Sequence, residues 1–342
     1  MTVPALQIGE RAPDFVLPGE SGERLRFYAH AGGRPTALFF DAGGAGDDAA
    51  DAAAGDVAAE LAGLLAGRED VAMCVVLPRH ELALPGVPTW VDETGLLRQR
   101  YSVPATGPAA VVLDPNLRVA AVATGGTDLA ARIAALLDSL RLRAPAVRVT
   151  AQAPVLLVPG ALDAAHRERL IERWHEAGAV ETGVEQSAAG GRREALDPAV
   201  KVRRDHTVAD PALLRELSAT VGRAVMPEVQ KAFAFRATRF EGFKIACYDA
   251  TTGGYFRAHR DNLTPATAHR VFALTLNLND DYDGGELRFP EYGNQLYRPD
   301  AGAALVFSGS HLHEVLDVTR GRRFVLLSFL YGEPPAAAVA SG

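Results

Sequence analysis

Apolar positions in the first 145 residues fall into short runs separated by helical stretches. PTALFF (35–40) and VAMCVVLP (71–78) are continuous apolar runs of strand length, the pattern of strands covered on both faces. Residues 47–69 between them are rich in Ala, Leu and Asp and predict a helix. PAAVVLD (108–114) and LRVAAVA (117–123) flank a Pro-Asn pair and predict a hairpin, and LAARIAALLDSLRL (129–142) carries apolar residues at helical spacing. The order strand, helix, strand, hairpin, helix predicts a compact α/β domain over residues 1–145.

A boundary follows in RAPAVRVTAQAP (143–154), where two prolines separate a helical from a strand-like pattern. The second domain, 150–335, opens with PVLLVPGAL (154–162) and a helix from Asp163 to about Ala177. The Gly-, Ser- and Arg-rich stretch 182–194 reads as a mobile loop, and residues 211–233 as a second helix. From Arg239 onward the pattern changes. GFKIACYDA, HRVFALTLNLND, GELRFPE, GAALVFSG and RRFVLLSFLY are strand-like runs punctuated by Gly, Pro, Asp and Asn, without helices between them. Such a series predicts a barrel or jelly roll. The fold class is therefore an α+β two-domain protein, and the tail 334–342 is expected to fray.

Composition narrows the function. Of 342 residues 48% are hydrophobic and 23% charged, as in ordinary globular domains. A net charge of −7 argues against general nucleic-acid binding. No apolar run is long enough to span a bilayer, and MTVPALQIGERAPDF lacks the basic and apolar regions of a signal peptide, so no membrane association is expected. Cys74 and Cys247 each sit inside an apolar stretch and read as buried thiols in a reducing, cytoplasmic setting.

The chemistry lies in the second half. In YFRAHRDN, His259 and Asp261 stand two residues apart, and on a strand i and i+2 share a face. GSHLHEV supplies His311 and His313 at the same spacing, 52 and 54 residues beyond His259. Two imidazoles and one carboxylate on one face of an octahedron leave three positions open, as in non-haem Fe(II) oxygenases. From residue types alone either distal histidine qualifies. The same set also suits a non-oxidative metal protein, a cupin-like hydrolase or sensor holding Zn(II). RRDH (203–206) reads as a solvated face or as a substrate-binding strand.

CYDATTGGYFRAHRD, GGELRFPE and HEVLDVTRGRR, preceded by PVLLVPGALDAAHRERLIERW, resemble the Fe(II)/2-oxoglutarate-dependent dioxygenases, in particular their prolyl 4-hydroxylase-like branch, over roughly 153–332. The resemblance implies a double-stranded β-helix (jelly roll) with flanking helices, iron held by His259, Asp261 and His313, and His311 as the runner-up ligand. It implies that Arg323 anchors the distal carboxylate of 2-oxoglutarate, with Tyr248, Asn277 and Thr319 as supporting contacts, while Arg322 points to the opposite strand face. Fe(II), 2-oxoglutarate and O2 are the implied reactants, with ascorbate as a stimulant. The implied reaction is hydroxylation of an unactivated C–H bond in a small-molecule or peptidyl substrate, with release of succinate and CO2. The stretches 182–194 and 262–269 are candidate lids.

IGERAPDFVLP, PTALFF, VPTWVDETGLLRQRYSV and GPAAVVLDPNLRVAAV resemble the peroxiredoxin branch of the thioredoxin fold over about 7–142. Pro108 falls where that family carries a cis-proline. The segment after the first core strand, FFDAGGAGDDAADAA, contains no cysteine, so a thiolate peroxidase has no nucleophile there. The expectation is a redox-inactive module for substrate binding, docking or homodimer formation, the last through either domain.

Overall fold

In the computed structural model, residues 6–19, 21–41, 48–79, 84–126, 128–140, 148–188 and 191–332 are described. The chain divides into two compact units, Met1–Val147 and Arg148–Gly342.

The first unit is a three-layer α/β arrangement. Its sheet runs Thr89–Val91, Ala72–Leu77, Thr36–Phe40, Ala109–Leu113, Val119–Thr124, with the first three strands mutually parallel and the hairpin antiparallel. Strand alternation sorts the core into two layers. Ala37 and Phe39 pack under the helices Asp48–Leu64 and Leu129–Asp138, while Leu38 and Phe40 face a second cluster containing Phe27, Trp90 and Tyr101. Burial pushes the Cys74 thiol up to about 12, so it carries no thiolate at neutral pH. At the carboxyl end of Thr36–Phe40 the buried Arg98 donates to the carbonyls of Asp41, Pro104 and Gly107, tying that end of the sheet to the loop after the helix Leu96–Arg100. The bond before Pro108 is trans. The cysteine-free segment lies partly outside the described residues, at 42–47.

The second unit is built from two antiparallel sheets. The larger has the order Leu156–Val158, Ala304–Ser308, Phe272–Asn277, Arg322–Tyr331, Lys244–Asp249, Arg204–Thr207, Val180–Glu181, with Arg239–Phe240 added to the end of Arg322–Tyr331. The smaller has the order Lys201–Val202, Tyr255–His259, His313–Val315, Leu287–Arg288, Leu296–Tyr297. Their facing sides share one core containing Ala246, Tyr248, Leu287, Phe289, Val315 and Val325. The outer face of the large sheet is covered by helices Ala164–Ala177 and Pro211–Phe233 over Ile245, Leu274 and Leu326. Both helices start on an aspartate cap: Asp163 accepts from the amide of His166 and Asp210 from that of Ala212, with Pro211 opening the second helix.

The central strand Arg322–Tyr331 fixes which side chains meet. Val325, Leu327 and Phe329 belong to the inner core, and Phe324, Leu326 and Leu330 to the helix side. Arg323 shares parity with the inner set and Arg322 with the outer one. The stretch 182–194 departs from the loop expected of it. Val184–Ala188 and Gly191–Ala195 pair antiparallel. Among the described residues no helix is long and apolar enough to cross a membrane.

Leu326 is fully buried at the centre of the large sheet. Leu326→Ala is expected to lower unfolding free energy by about 2–5 kcal/mol in urea denaturation, the cost of a large-to-small change in a close-packed core.

Candidate metal centre

Three donors converge on one point of the small sheet. His259 ends the strand Tyr255–His259, His313 opens the strand His313–Val315, and the two are register partners. Asp261 follows just beyond the first strand, its amide bonded to the carbonyl of Gly309 at 2.9 Å. Gly309 in turn lies against Arg270, since a Cβ at 309 would lie 2.6 Å from the carbonyl oxygen of Arg270. His259 Nε2 is 3.6 Å from Asp261 Oδ1, and His313 Nε2 is 3.5 Å from Asp261 Oδ2. One ligand atom from each residue lies within 4.8 Å of the others.

Each imidazole is oriented by the same device. Nδ1–H of His259 donates to the Arg257 carbonyl at 2.8 Å, and Nδ1–H of His313 to the His311 carbonyl at 2.9 Å. A carbonyl cannot donate, so the proton stays on Nδ1 and both Nε2 lone pairs face Asp261. Burial, then the neighbouring His313, holds His259 well below the usual histidine range, so it is neutral at pH 7. Burial raises the Asp261 carboxyl, and its Oδ2 has no hydrogen-bond partner. A buried carboxylate oxygen with no donor, opposite two imidazole lone pairs, lacks only a cation. The residues present thus fit a divalent metal with open positions.

The triad borders a cavity of about 590 Å³ that also contains Arg323 and Tyr248 in its wall. Arg323 is only 2% exposed, although it is a guanidinium. Its Nη2 donates to Asn277 Oδ1 at 3.2 Å and its Nε has no partner. Gly285 makes room for its stem, since a Cβ there would stand 3.0 Å from Arg323 Cδ. Tyr248 is the register partner of Arg323, whose Cζ lies 5.4 Å from the phenol ring centroid. Asn277 is buried behind Arg323, donating to the Tyr282 hydroxyl and the Pro299 carbonyl, and does not itself line the cavity.

Two expected contributors fall elsewhere. Thr319 is exposed on the short strand Val318–Arg320 and is not among the lining residues, because that strand pairs with Asp283–Gly284 outside the two main sheets. The His311 side chain packs against Tyr292 and Phe289, away from the cavity wall, so that only its carbonyl serves the site. Arg322 lies on the outer face, paired with Asp249 at 2.6 Å. Of the two candidate lids, Leu263, Thr264 and Thr267 of 262–269 line the cavity, with Leu263 exposed at its rim.

RRDH (203–206) is not a solvated face. Arg203 and Asp205 are buried and joined by a bidentate pair, Nε to Oδ1 and Nη2 to Oδ2, both at 2.7 Å. Arg203 Nη1 donates to the Tyr248 hydroxyl at 3.2 Å. Arg203 and Lys201 both line the cavity, near Phe256, whose ring stacks on His259 at 3.5 Å. The missed signal is the i, i+2 spacing of Arg203 and Asp205, which on a strand puts both on one face.

Residues 243–331 match the family model described as 2OG-Fe(II) oxygenase superfamily. The chain is 35% identical over 104 residues to a PKHD-type hydroxylase of Synechococcus sp. (strain JA-2-3B'a(2-13)), covering 28% of this chain and 46% of that one. It is 33% identical over 153 residues to a PKHD-type hydroxylase of Paracoccus denitrificans (strain Pd 1222), covering 42% and 66%. The chain thus spans about half the length of the first of these relatives. Among solved structures, a Pseudomonas putida prolyl-4-hydroxylase is 20% identical with a TM-score of 0.39, covering 54% of this chain and 95% of that one.

Two predictions follow from this geometry. In metal titrations of the purified chain with Zn(II) or Co(II), followed by calorimetry, His259→Ala, Asp261→Ala and His313→Ala are each expected to lose more than the roughly 10–100-fold that an outer partner costs. His311→Ala should bind like wild type; tight binding by His313→Ala with loss in His311→Ala would reassign the distal ligand. The second concerns Glu241, which lines the same cavity and accepts from Arg270 at 2.6 and 2.7 Å and from His269 at 2.9 Å. Burial opposes its charge, but Arg270 prevails and its carboxyl stays below the usual 4.5. A depressed carboxyl stabilises the fold above that value and loses its effect as pH falls through the folded-state pKa. The stability gap between wild type and Glu241→Gln should therefore be widest near neutrality and shrink below pH 4.5, as read by urea melts across pH.

Proposed function

We propose that this chain, which carries a 2OG-Fe(II) oxygenase domain over residues 243–331, is an Fe(II)- and 2-oxoglutarate-dependent hydroxylase of a small-molecule or peptidyl substrate. The single observation that carries the reading is the joint occurrence, around one cavity, of a metal-ready His259–Asp261–His313 triad and a buried Arg323 with an unsatisfied Nε. A non-oxidative metal protein needs the first and gives no reason for the second.

His259, Asp261 and His313 would hold the iron, through two Nε2 atoms and a carboxylate. When bound, the ferrous ion together with 2-oxoglutarate and O2 supplies oxidative decarboxylation, in which R–H, 2-oxoglutarate and O2 become R–OH, succinate and CO2. The protein's own share is positioning and exclusion of water. Arg323 grips the distal carboxylate of 2-oxoglutarate with a fork of N–H donors. Asn277 fixes the plane of that fork by accepting from Nη2. Tyr248 donates to the same cosubstrate beside Arg323. Phe256 braces His259 by stacking. Thr319 has no part in this assignment.

The first unit we read as a thioredoxin-like domain over residues 1–145 that does no redox chemistry. Its sheet has three parallel strands followed by an antiparallel hairpin, Cys74 is its one cysteine, and that thiol is fully buried.

Anaerobically iron-loaded protein given 2-oxoglutarate and then O2 is expected to form succinate, measured by mass spectrometry. Arg323→Met should raise KM for 2-oxoglutarate about 30-fold or more, the effect of removing one side of a buried charged pair worth at least ~2 kcal/mol. Its metal affinity should match wild type. A chain that binds metal at the triad but forms no succinate, with or without added ascorbate, would return the protein to the cupin-like hydrolase or sensor class.

A further inference from the structure

We infer that Arg203 is a positioning residue that sets the hydrogen-bond polarity of Tyr248, forcing its hydroxyl to donate into the cavity; this rests on the reading of the cavity as a 2-oxoglutarate site.

The argument is one of donors and acceptors. A phenol oxygen has one proton to give and lone pairs to receive with. A guanidinium has donors only, so in the 3.2 Å contact between Arg203 Nη1 and the Tyr248 hydroxyl, the tyrosine oxygen accepts. Its own proton must then point to another acceptor, and Tyr248 borders the cavity. Arg203 cannot swing away from this duty. Asp205 holds Nε and Nη2 at 2.7 Å each, and the Asp205 carboxylate is itself fixed by Thr182 Oγ1 at 2.7 Å. The fork on Asp205 uses one edge of the guanidinium and leaves Nη1 aimed at the phenol.

Tyr248 also sits between two guanidinium groups, with Arg203 Cζ 5.7 Å and Arg323 Cζ 5.4 Å from its ring centroid. Neither can accept its proton. The part of the cavity built by Tyr248 and Arg323 therefore offers the Tyr248 hydroxyl proton and the Arg323 guanidinium as donors. A ligand there must bring acceptors, which a carboxylate does and an amide nitrogen or ammonium does not. The order of influence is Asp205 on Arg203, Arg203 on Tyr248, Tyr248 on the ligand.

The test is a double-mutant cycle on 2-oxoglutarate binding, measured by calorimetry on the full chain loaded with Zn(II), so that no turnover is needed. Arg203→Lys keeps the charge beside Asp205 but cannot fork onto it and reach Tyr248 together. It should weaken 2-oxoglutarate binding about five- to tenfold, the value of one directed hydrogen bond. Tyr248→Phe should weaken binding by a similar factor. In the Tyr248→Phe background Arg203→Lys should have no further effect, because the group it acts through is gone. If Arg203→Lys does not fold, Asp205→Asn serves instead, since it leaves Arg203 in place but frees its fork, and the same loss of effect in Tyr248→Phe is expected. Equal losses in both backgrounds would overturn the inference while leaving the 2-oxoglutarate site standing. Wild-type protein that binds Zn(II) but no 2-oxoglutarate would overturn the functional reading and this inference with it.

Discussion

Everything in the second unit depends on a buried carboxylate that the protein does not itself neutralise. Asp261 sits at the end of a strand with one oxygen lacking any donor and two imidazole lone pairs turned toward it. Leaving such a group buried costs of the order of several kcal/mol unless a cation arrives. The surroundings keep that cost in place rather than relieving it. The Nδ1–H bonds to the carbonyls of Arg257 and His311 stop either histidine from turning a donor toward Asp261. The carbonyl of Gly309 accepts from the Asp261 amide at 2.9 Å, which ties the backbone of Asp261 to the strand end opposite. The fold holds an arrangement that is unfavourable without a metal, and it can do so because two sheets and two helices overdetermine the position.

Strand parity explains why most of this centre was legible in sequence. Arg322 and Arg323 are chemically identical, but only the second shares a face with Val325 and Leu327. The period of two decides between them. His259 and Asp261 share a strand face by the same period, and so do His311 and His313, so parity does not choose between the last two. The resemblance points to His313, and the register pairs His313 with His259 and leaves His311 packed on Tyr292. Arg203 was hidden because a basic tetrapeptide has the composition of a surface. Its burial depends on Asp205 two residues on, and that pairing shows only once the segment is known to be a strand. Thr319 is placed by pairing that sequence does not show, since its strand leaves the main sheets to pair with Asp283–Gly284.

The first unit was legible as architecture and not as purpose. Its apolar runs are buried on both faces, so composition alone marks PTALFF and VAMCVVLP as central strands. Cys74 is buried in the cluster that contains Phe27, Phe40, Trp90 and Tyr101. What the sequence could not reveal is Arg98. It sits in an ordinary amphipathic stretch, LLRQR, yet its guanidinium is buried and gathers the carbonyls of Asp41, Pro104 and Gly107. Those partners come from two segments, Asp41 and the loop that holds Pro104 and Gly107, and no local pattern brings the first to the second.

The charges around the cavity make a final distinction. Arg203 answers to Asp205, Arg260 to Glu291 and Arg270 to Glu241, each within 2.7 Å. Those pairs are closed, and they shape the wall without demanding a ligand. Arg323 differs: among the described residues its hydrogen-bond partner is the neutral amide oxygen of Asn277, and its Nε has none. A cation met by a neutral dipole and a carboxylate faced by two lone pairs are complementary deficits at one cavity. Neither can relieve the other, because each is fixed to its own strand. A divalent cation satisfies the carboxylate and an anion the guanidinium. A single ligand that chelates the metal at one end and carries a free carboxylate at the other satisfies both, which is why a 2-oxo dicarboxylic acid fits this protein better than a metal alone.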